Sequence, residues 1–138
     1  MEKGVKKLVI ICDNDPDNSF TLEGELRNRH YDVVILNDAT ELESSARNSR
    51  PVAILANPDM PGFNEYDVCK YVKNELHIPL LLLVDKHSTH RASLNSQSTH
   101  APNADNCQAD DIISKPVRVV DNVINLIEKH KAFNQSNP

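Results

Sequence analysis

The sequence predicts an α/β domain in which a doubly wound, five-stranded parallel sheet carries helices on both faces. Short, continuous apolar runs recur along the 138 residues, and amphipathic segments with helical spacing separate them. Runs of this kind are typical of parallel strands buried on both faces. Because crossovers between parallel strands are right-handed, few doubly wound arrangements remain, and the pattern alone does not choose among them.

Five apolar runs are the predicted strands. They are residues 8–12, 33–36, 51–56, 79–84 and 111–114. The first run combines apolar with β-branched residues, which favours a strand buried on both faces. The five runs together therefore predict one sheet with its core on each side.

Capping signals mark the first two helices. Asp15 precedes Pro16, an N-cap followed by the proline favoured in the first helical turn. The apolar residues of that helix are Phe20, Leu22 and Leu26. Gly24 weakens it by roughly 1 kcal/mol relative to alanine. Asp38, with Glu41 three residues later, resembles a capping box and predicts a second helix to about residue 48.

The two later helices have apolar residues at helical spacing. These are Val68, Cys69, Val72 and Leu76, after a turn at residues 58–62, and then Val120, Val123, Ile124 and Ile127. Residues 86–108 are instead rich in Ser, Thr, Asn and His, contain Pro102, and have only Leu94 as a strongly apolar residue. We predict a short or irregular fourth helix and a long mobile loop there. The domain is assigned to residues 1–131, followed by a flexible tail over residues 132–138.

Composition excludes several classes of protein. The net charge of -5 disfavours a nucleic-acid-binding surface, which would normally be basic. No apolar stretch approaches the roughly 18–20 residues needed to span a membrane. The apolar residues that follow the charged N-terminus are too few for a signal-peptide core, so a cytoplasmic protein is predicted.

Cysteines and histidines are considered as candidate metal ligands. Cys12, Cys69 and Cys107 are widely spaced, which fits neither a disulfide framework nor a metal knuckle. Cys12 and Cys69 are expected to be buried. The histidines of residues 86–108 lack a regular ligand spacing and are interpreted as solvated loop residues.

Polar residues follow four of the predicted strands, at the edge of an open α/β sheet where binding and chemistry gather. They are Asp13-Asn14-Asp15, residues 57–62 (Asn-Pro-Asp-Met-Pro-Gly), Val84-Asp85 and Ser114-Lys115-Pro116. This set resembles the receiver domains of two-component signalling proteins, over roughly residues 6–130. The most specific pieces are the Met-Pro-Gly turn and the Lys-Pro pair, in register with the first acidic cluster. The resemblance implies a flavodoxin-like strand order.

The resemblance also assigns roles to these positions. The acidic pair that holds Mg²⁺ corresponds to Asp13 and Asn14, and the phosphate-accepting aspartate corresponds to Asn57. The remaining positions belong to the switch that responds to the phosphoryl group. They are Val84 in place of Thr or Ser, Asp85 in place of a small residue, Ile112 in place of an aromatic residue, and the retained Lys115 and Pro116.

These substitutions predict that the phosphorylation chemistry is lost. The Asn57 amide is a neutral, poor nucleophile, whereas acyl phosphate formation needs an anionic oxygen. Asn14 removes one negative charge from a hard-cation site, and Val84 cannot donate a hydrogen bond to a phosphoryl oxygen. We therefore expect no enzyme activity, no cofactor and no firm metal site. A weakened Mg²⁺ site at Asp13 and Asp59 is kept as an alternative.

Simpler structural roles remain open for the same residues. Asp13 and Asp15 could cap the first helix or keep a residual metal role. Asp59 is favoured as a turn residue. Lys115 could pair with Asp13 or hydrogen-bond to Asn57 as a structural remnant.

Three functions are compared on this basis. The leading hypothesis is a pseudo-receiver that acts through protein partners, such as a histidine kinase or a downstream signalling protein, without direct nucleic-acid or membrane contact. Pairing into a homodimer is left open. The second is a regulator with a displaced phosphate acceptor, Asp59 or more remotely Asp13 or Asp85. The third is a small-molecule or metal sensor that uses the vacated pocket or the histidine-rich loop.

Overall fold

The structure is a computed structural model, and it describes residues 7–84, 109–115 and 120–135. The predicted irregular segment at residues 86–108 lies outside this part of the chain. So do two of the predicted switch positions, Asp85 and Pro116.

Strands and helices alternate along the described chain. The strands are β1 (Leu8–Cys12), β2 (Asp32–Leu36), β3 (Ala53–Ala56), β4 (Leu80–Val84) and β5 (Asp111–Ser114). The helices are α1 (Pro16–Asn28), a 3₁₀ turn (Ala39–Glu41) leading into α2 (Leu42–Ser49), α3 (Glu65–Cys69) continued by a π-helical segment (Lys70–Glu75), and a final helix (Val120–Gln135).

The five strands form one parallel sheet in the order β2-β1-β3-β4-β5. This is the flavodoxin-like order, which confirms the predicted fold class. Parallel strands end at the same edge of a sheet. Cys12 pairs with both Leu36 and Ala56, and Val84 pairs with Ser114, so the residues that follow these strands meet along one line.

Alternate side chains of the central strands supply two separate cores. Ile10 and Ile54 point into the core beneath α2 and α3, whereas Ile11 and Leu55 point into the core beneath α1 and the final helix. All five residues of β4 are buried. Burial on both faces explains the continuous apolar runs in the sequence and gives the carboxyl edge of the sheet a rigid support.

Local signals set where the helices begin. The Asp15 side chain accepts from the backbone N–H of Asn18 and caps α1. The Asp38 side chain accepts from Thr40 N at 2.9 Å and opens the 3₁₀ turn before α2. Both aspartates were predicted as helix starts, and the structure confirms them in that role.

Two helix ends differ from the expected pattern. From Lys70 to Glu75 the third helix adopts π-type bonding, and Leu76 N donates to Tyr71 O at 3.2 Å. The final helix continues to Gln135, so the predicted domain boundary at residue 131 falls inside it. Apolar residues at helical spacing predict which face of a helix is buried. They predict neither the type of backbone hydrogen bonding nor the residue at which the helix ends.

Cys69 corrects one expectation. Cys12 and Cys69 are both buried, as predicted, and Cys12 is a free thiol. Cys69, however, is disulfide-bonded, and the other sulfur lies outside the described residues. The expectation that the spacing of the cysteines fits no disulfide framework is therefore wrong for Cys69. The reason is that disulfide formation depends on distance in the fold, which spacing along the chain does not give.

No helix in the described part of the chain is long and apolar enough to cross a membrane.

Candidate functional site

Three of the predicted site residues meet at the carboxyl edge of the sheet because each directly follows a strand. Backbone hydrogen bonds to neighbouring strands fix their positions. Asp13 N donates to Leu36 O at 3.1 Å, Asn57 N donates to Cys12 O at 2.9 Å, and Lys115 N donates to Val84 O at 2.7 Å. These bonds extend the strand pairing by one residue, so Asp13, Asn57 and Lys115 project from a rigid frame.

The Asp13 carboxylate is the centre of this site. Lys115 Nζ lies 3.0 Å from its Oδ2 atom, Asn57 Nδ2 donates to its Oδ1 atom at 3.0 Å, and Asp15 N donates to Oδ1 at 3.2 Å. The side chain of Asp13 is 0% exposed and that of Lys115 is 7% exposed. A charge taken out of water in this way needs both an ion-pair partner and hydrogen bonds, and Asp13 has both.

The Asn57 amide is engaged at both ends. Its Nδ2 group faces Asp13, and its Oδ1 atom accepts from Asp59 N at 2.8 Å. The second bond closes an Asx turn, which Met60 N supports by donating to Asn57 O at 3.2 Å. The amide therefore joins the acidic centre to the start of the turn that follows β3.

That turn is held against the rest of the site by close packing. Gly62 has a φ of +83°, a left-handed conformation that glycine adopts without strain. A Cβ atom there would also lie 3.2 Å from Thr40 Cγ2. Met60 is buried and places its sulfur 3.8 Å from the Cys12 sulfur. The Met-Pro-Gly turn thus packs on the end of β1 and on the 3₁₀ turn that follows β2.

The structure decides between the open roles of the acidic residues. Asp15 caps α1, whereas Asp13 does not and instead pairs with Lys115. Asp59 is exposed and contributes its backbone N–H to the turn. Asn14, in the second position of the implied metal pair, is exposed. Of the two predicted partners of Lys115, the structure therefore selects Asp13.

The two described switch positions beside Lys115 are apolar. Val84 is fully buried at the end of β4, and Ile112 is partly buried and packs against the core beneath α2 and α3. Neither side chain can donate a hydrogen bond to a ligand at the site.

Sequence reasoning missed two contributors to the site, Thr40 and Cys12. Thr40 binds Asp38 through its Oγ1 and backbone N–H and packs against the Gly62 turn. Cys12 lies next to the acidic centre, and desolvation by burial, together with the charges of Asp13, Asp38 and Glu41, raises the pKa of its thiol to about 12. Thr40 could have been found from its place after a strand that ends at the same edge. Nothing in the sequence signals the state of the thiol.

The chemistry available to this arrangement is limited. Position 57 carries no anionic oxygen, and the ammonium of Lys115 is already paired with carboxylates. Across residues 7–84, 109–115 and 120–135, no three His, Cys, Asp or Glu side chains converge in a way that could hold a metal ion. The arrangement is a buried, hydrogen-bonded ion pair at the position where α/β domains place their functional sites.

Comparison with known proteins shows which proteins the chain is similar to. No protein-family model matches the chain. The DNA-binding response regulator MtrA of Mycolicibacterium smegmatis is 25% identical over 114 residues, which are 83% of this chain and 46% of MtrA. The chain thus spans about half the length of the curated relatives it matches.

Solved structures share the fold of the chain. The signal receiver domain of a modulated diguanylate cyclase from Desulfovibrio desulfuricans matches 97% of this chain and 100% of its own with a TM-score of 0.75 and 15% identity. The receiver domain of the sensor histidine kinase PA1611 from Pseudomonas aeruginosa, with a magnesium ion in its active site cleft, matches 93% of this chain and 99% of its own, with a TM-score of 0.71 and 18% identity. The homologues and structural neighbours of the chain are response-regulator receiver domains, which confirms the resemblance predicted from the strand ends.

Proposed function

We propose that this receiver domain takes part in two-component signalling through protein–protein contacts and carries no aspartyl phosphate at position 57. The supporting observation is the Asn57 amide, which donates to Asp13 at 3.0 Å and accepts from Asp59 N at 2.8 Å. A phosphate acceptor needs an anionic oxygen nucleophile. A neutral amide with hydrogen bonds at both ends offers none.

The surroundings of the amide support the same proposal. A transferred phosphoryl group needs cationic and hydrogen-bonding groups around its equatorial oxygens. Lys115 is paired with Asp13 at 3.0 Å, and Val84 is a buried aliphatic side chain. Nucleophile, cation and hydrogen-bond donor are therefore each unsuited to the transfer.

The proposed partners are proteins, and a histidine kinase or a downstream signalling protein fits the class. In this proposal the domain works by binding and is not an enzyme. Its net charge of -5 disfavours direct contact with nucleic acid. DNA binding is part of the name of MtrA, of which the chain matches 46%.

Phosphorylation with a small-molecule donor tests the proposal. The wild-type chain is incubated with acetyl phosphate and Mg²⁺, its intact mass is measured, and a receiver domain with an aspartate acceptor is treated in parallel as the positive control. We expect no added phosphoryl group on the wild type. A stoichiometric, acid-labile gain would overturn the proposal. Loss of that gain in Asp59→Asn would then assign the acceptor to Asp59.

A further inference from the structure

One ammonium group at the carboxyl edge of the sheet faces three carboxylate oxygens. Lys115 Nζ lies 3.0 Å from Asp13 Oδ2, 3.4 Å from Asp13 Oδ1 and 3.6 Å from Asp15 Oδ2. An ammonium group carries three N–H donors and no acceptor, so it can point one donor toward each oxygen. The Lys115 side chain is 7% exposed, which places this arrangement largely out of contact with solvent.

The divalent cation that the receiver resemblance implies does not fit these donors while the Lys115 ammonium is paired with Asp13. Mg²⁺ requires near-octahedral oxygen ligands at about 2.0–2.1 Å. The Asn57 amide turns its Nδ2 donor toward Asp13 and its oxygen toward Asp59 N, so it presents no oxygen to a cation beside Asp13. Asp13 Oδ1 already accepts from Asn57 and from Asp15 N. The exposed Asn14 carries no charge that would compensate.

We infer that Lys115 is a built-in cation that takes the place of the divalent ion in this pocket and excludes it. The tethered ammonium neutralises Asp13 whether or not metal is present in solution. The geometry of the site is then independent of Mg²⁺. This inference deepens the proposed function, on which it rests, because a pocket without phosphoryl transfer has no use for a metal bridge to a phosphate.

Manganese binding tests the inference, with Mn²⁺ as a spectroscopically visible substitute for Mg²⁺. Free Mn²⁺ is followed by electron paramagnetic resonance during titration of the wild type, Lys115→Gln and Lys73→Gln. Lys73 is the matched control, because its ammonium also pairs with an aspartate, Asp110, at 3.1 Å. We expect no saturable site in the wild type or in Lys73→Gln, and an affinity at least about tenfold higher in Lys115→Gln.

Each outcome bears on the inference. Stoichiometric Mn²⁺ binding by the wild type at an affinity equal to that of Lys115→Gln would overturn it, as would a folded Lys115→Gln that binds no Mn²⁺. The double variant Asp13→Asn/Lys115→Gln should lose the gained site. If Lys115→Gln is unfolded without metal, recovery of its circular dichroism on addition of Mn²⁺ supports the inference, and absence of recovery contradicts it.

The two proposals fail in different ways. If the wild type binds Mn²⁺ at this pocket but is not labelled by acetyl phosphate, only the inference that Lys115 excludes a divalent ion is overturned. Labelling of the wild type by acetyl phosphate would overturn the proposed function.

Discussion

Two lysine–aspartate pairs in this domain have almost the same length and very different surroundings. Lys115 Nζ lies 3.0 Å from Asp13 Oδ2, with side chains 7% and 0% exposed. Lys73 Nζ lies 3.1 Å from Asp110 Oδ1, with side chains 26% and 13% exposed. The residues of the first pair directly follow β1 and β5 at the carboxyl edge of the sheet, and the second pair joins the π-helical segment to the residue before β5.

The difference lies in what each aspartate would lose without its lysine. Asp110 Oδ2 accepts from Leu80 N at 2.9 Å, and the carboxylate keeps some contact with water. Asp13 keeps its bonds from Asn57 and Asp15, but its charge would be buried without a counter-ion. Burial, more than length, therefore decides how strongly the domain depends on an ion pair.

The largest expected effect follows from removing the buried cation. Lys115→Ala leaves the charge of Asp13 uncompensated and should lower the free energy of unfolding by about 3–5 kcal/mol. Urea denaturation followed by circular dichroism measures it. The double variant Asp13→Asn/Lys115→Gln should regain a substantial part of the loss, since the two removals are coupled. A loss in Lys115→Ala no greater than that in Lys73→Gln would contradict the comparison.

Adding a charge to the buried pair should have the next largest effect. Asn57→Asp replaces the Nδ2 donor, 3.0 Å from Asp13, with a second carboxylate. Two carboxylates at this distance disfavour double ionisation, so the pKa of the introduced carboxyl is raised in the folded state. We expect a loss of roughly 1–3 kcal/mol at neutral pH.

The pH dependence of Asn57→Asp gives a second check. A raised folded-state pKa gives stability that is present below the unfolded pKa and lost as pH rises through the folded pKa. The deficit relative to the wild type should therefore shrink as pH falls. If Asn57→Asp loses the same free energy of unfolding at acidic and neutral pH, the loss would come from the changed packing and hydrogen bonds of residue 57 and not from the added charge.

The predicted strands show what the sequence reports well. Predicted strands 8–12 and 111–114 agree with β1 and β5 to the residue. Predicted strand 51–56 begins two residues before β3, and its first residue, Pro51, has no N–H to donate to a ladder. Continuous apolar runs fix the strands, and the strands fix the edge at which the site residues meet.

Side-chain partners were less accessible from the sequence. The order of strand ends brought Asp13, Asn57 and Lys115 together, yet it left the partner of Lys115 open. That choice depends on packing between residues that are 102 positions apart. The bond of Cys69 was missed for the same reason, since a one-dimensional spacing contains no information about which residues the crossovers place side by side.

Removing the less deeply buried pair, Lys73 with Asp110, should have a smaller effect than either change at the buried pair. Lys73→Gln removes the 3.1 Å contact with Asp110 but leaves the bond from Leu80 N in place. We expect a loss of about 1 kcal/mol, which high salt should reduce because water and ions screen this pair. Urea denaturation at low and high salt measures both. A loss as large as that of Lys115→Ala would mean that the surroundings of the two pairs do not matter.

The smallest expected effect belongs to an exposed aspartate at the same edge, Asp38. The hydrogen bond from the Thr40 side chain, and then that from its backbone N–H, hold the pKa of Asp38 below its ordinary value of 3.8. A lowered folded-state pKa gives stability that is present above the unfolded pKa and lost as pH falls through the folded pKa. Asp38→Asn should therefore make the melting temperature fall less steeply below about pH 4. At neutral pH the melting temperature should change little. The melting temperature of Asp38→Asn at acidic pH could instead fall as steeply as that of the wild type, while the acid dependence of Asn57→Asp differs from it. The stability of this edge would then depend on its buried charges and not on the exposed Asp38 cap.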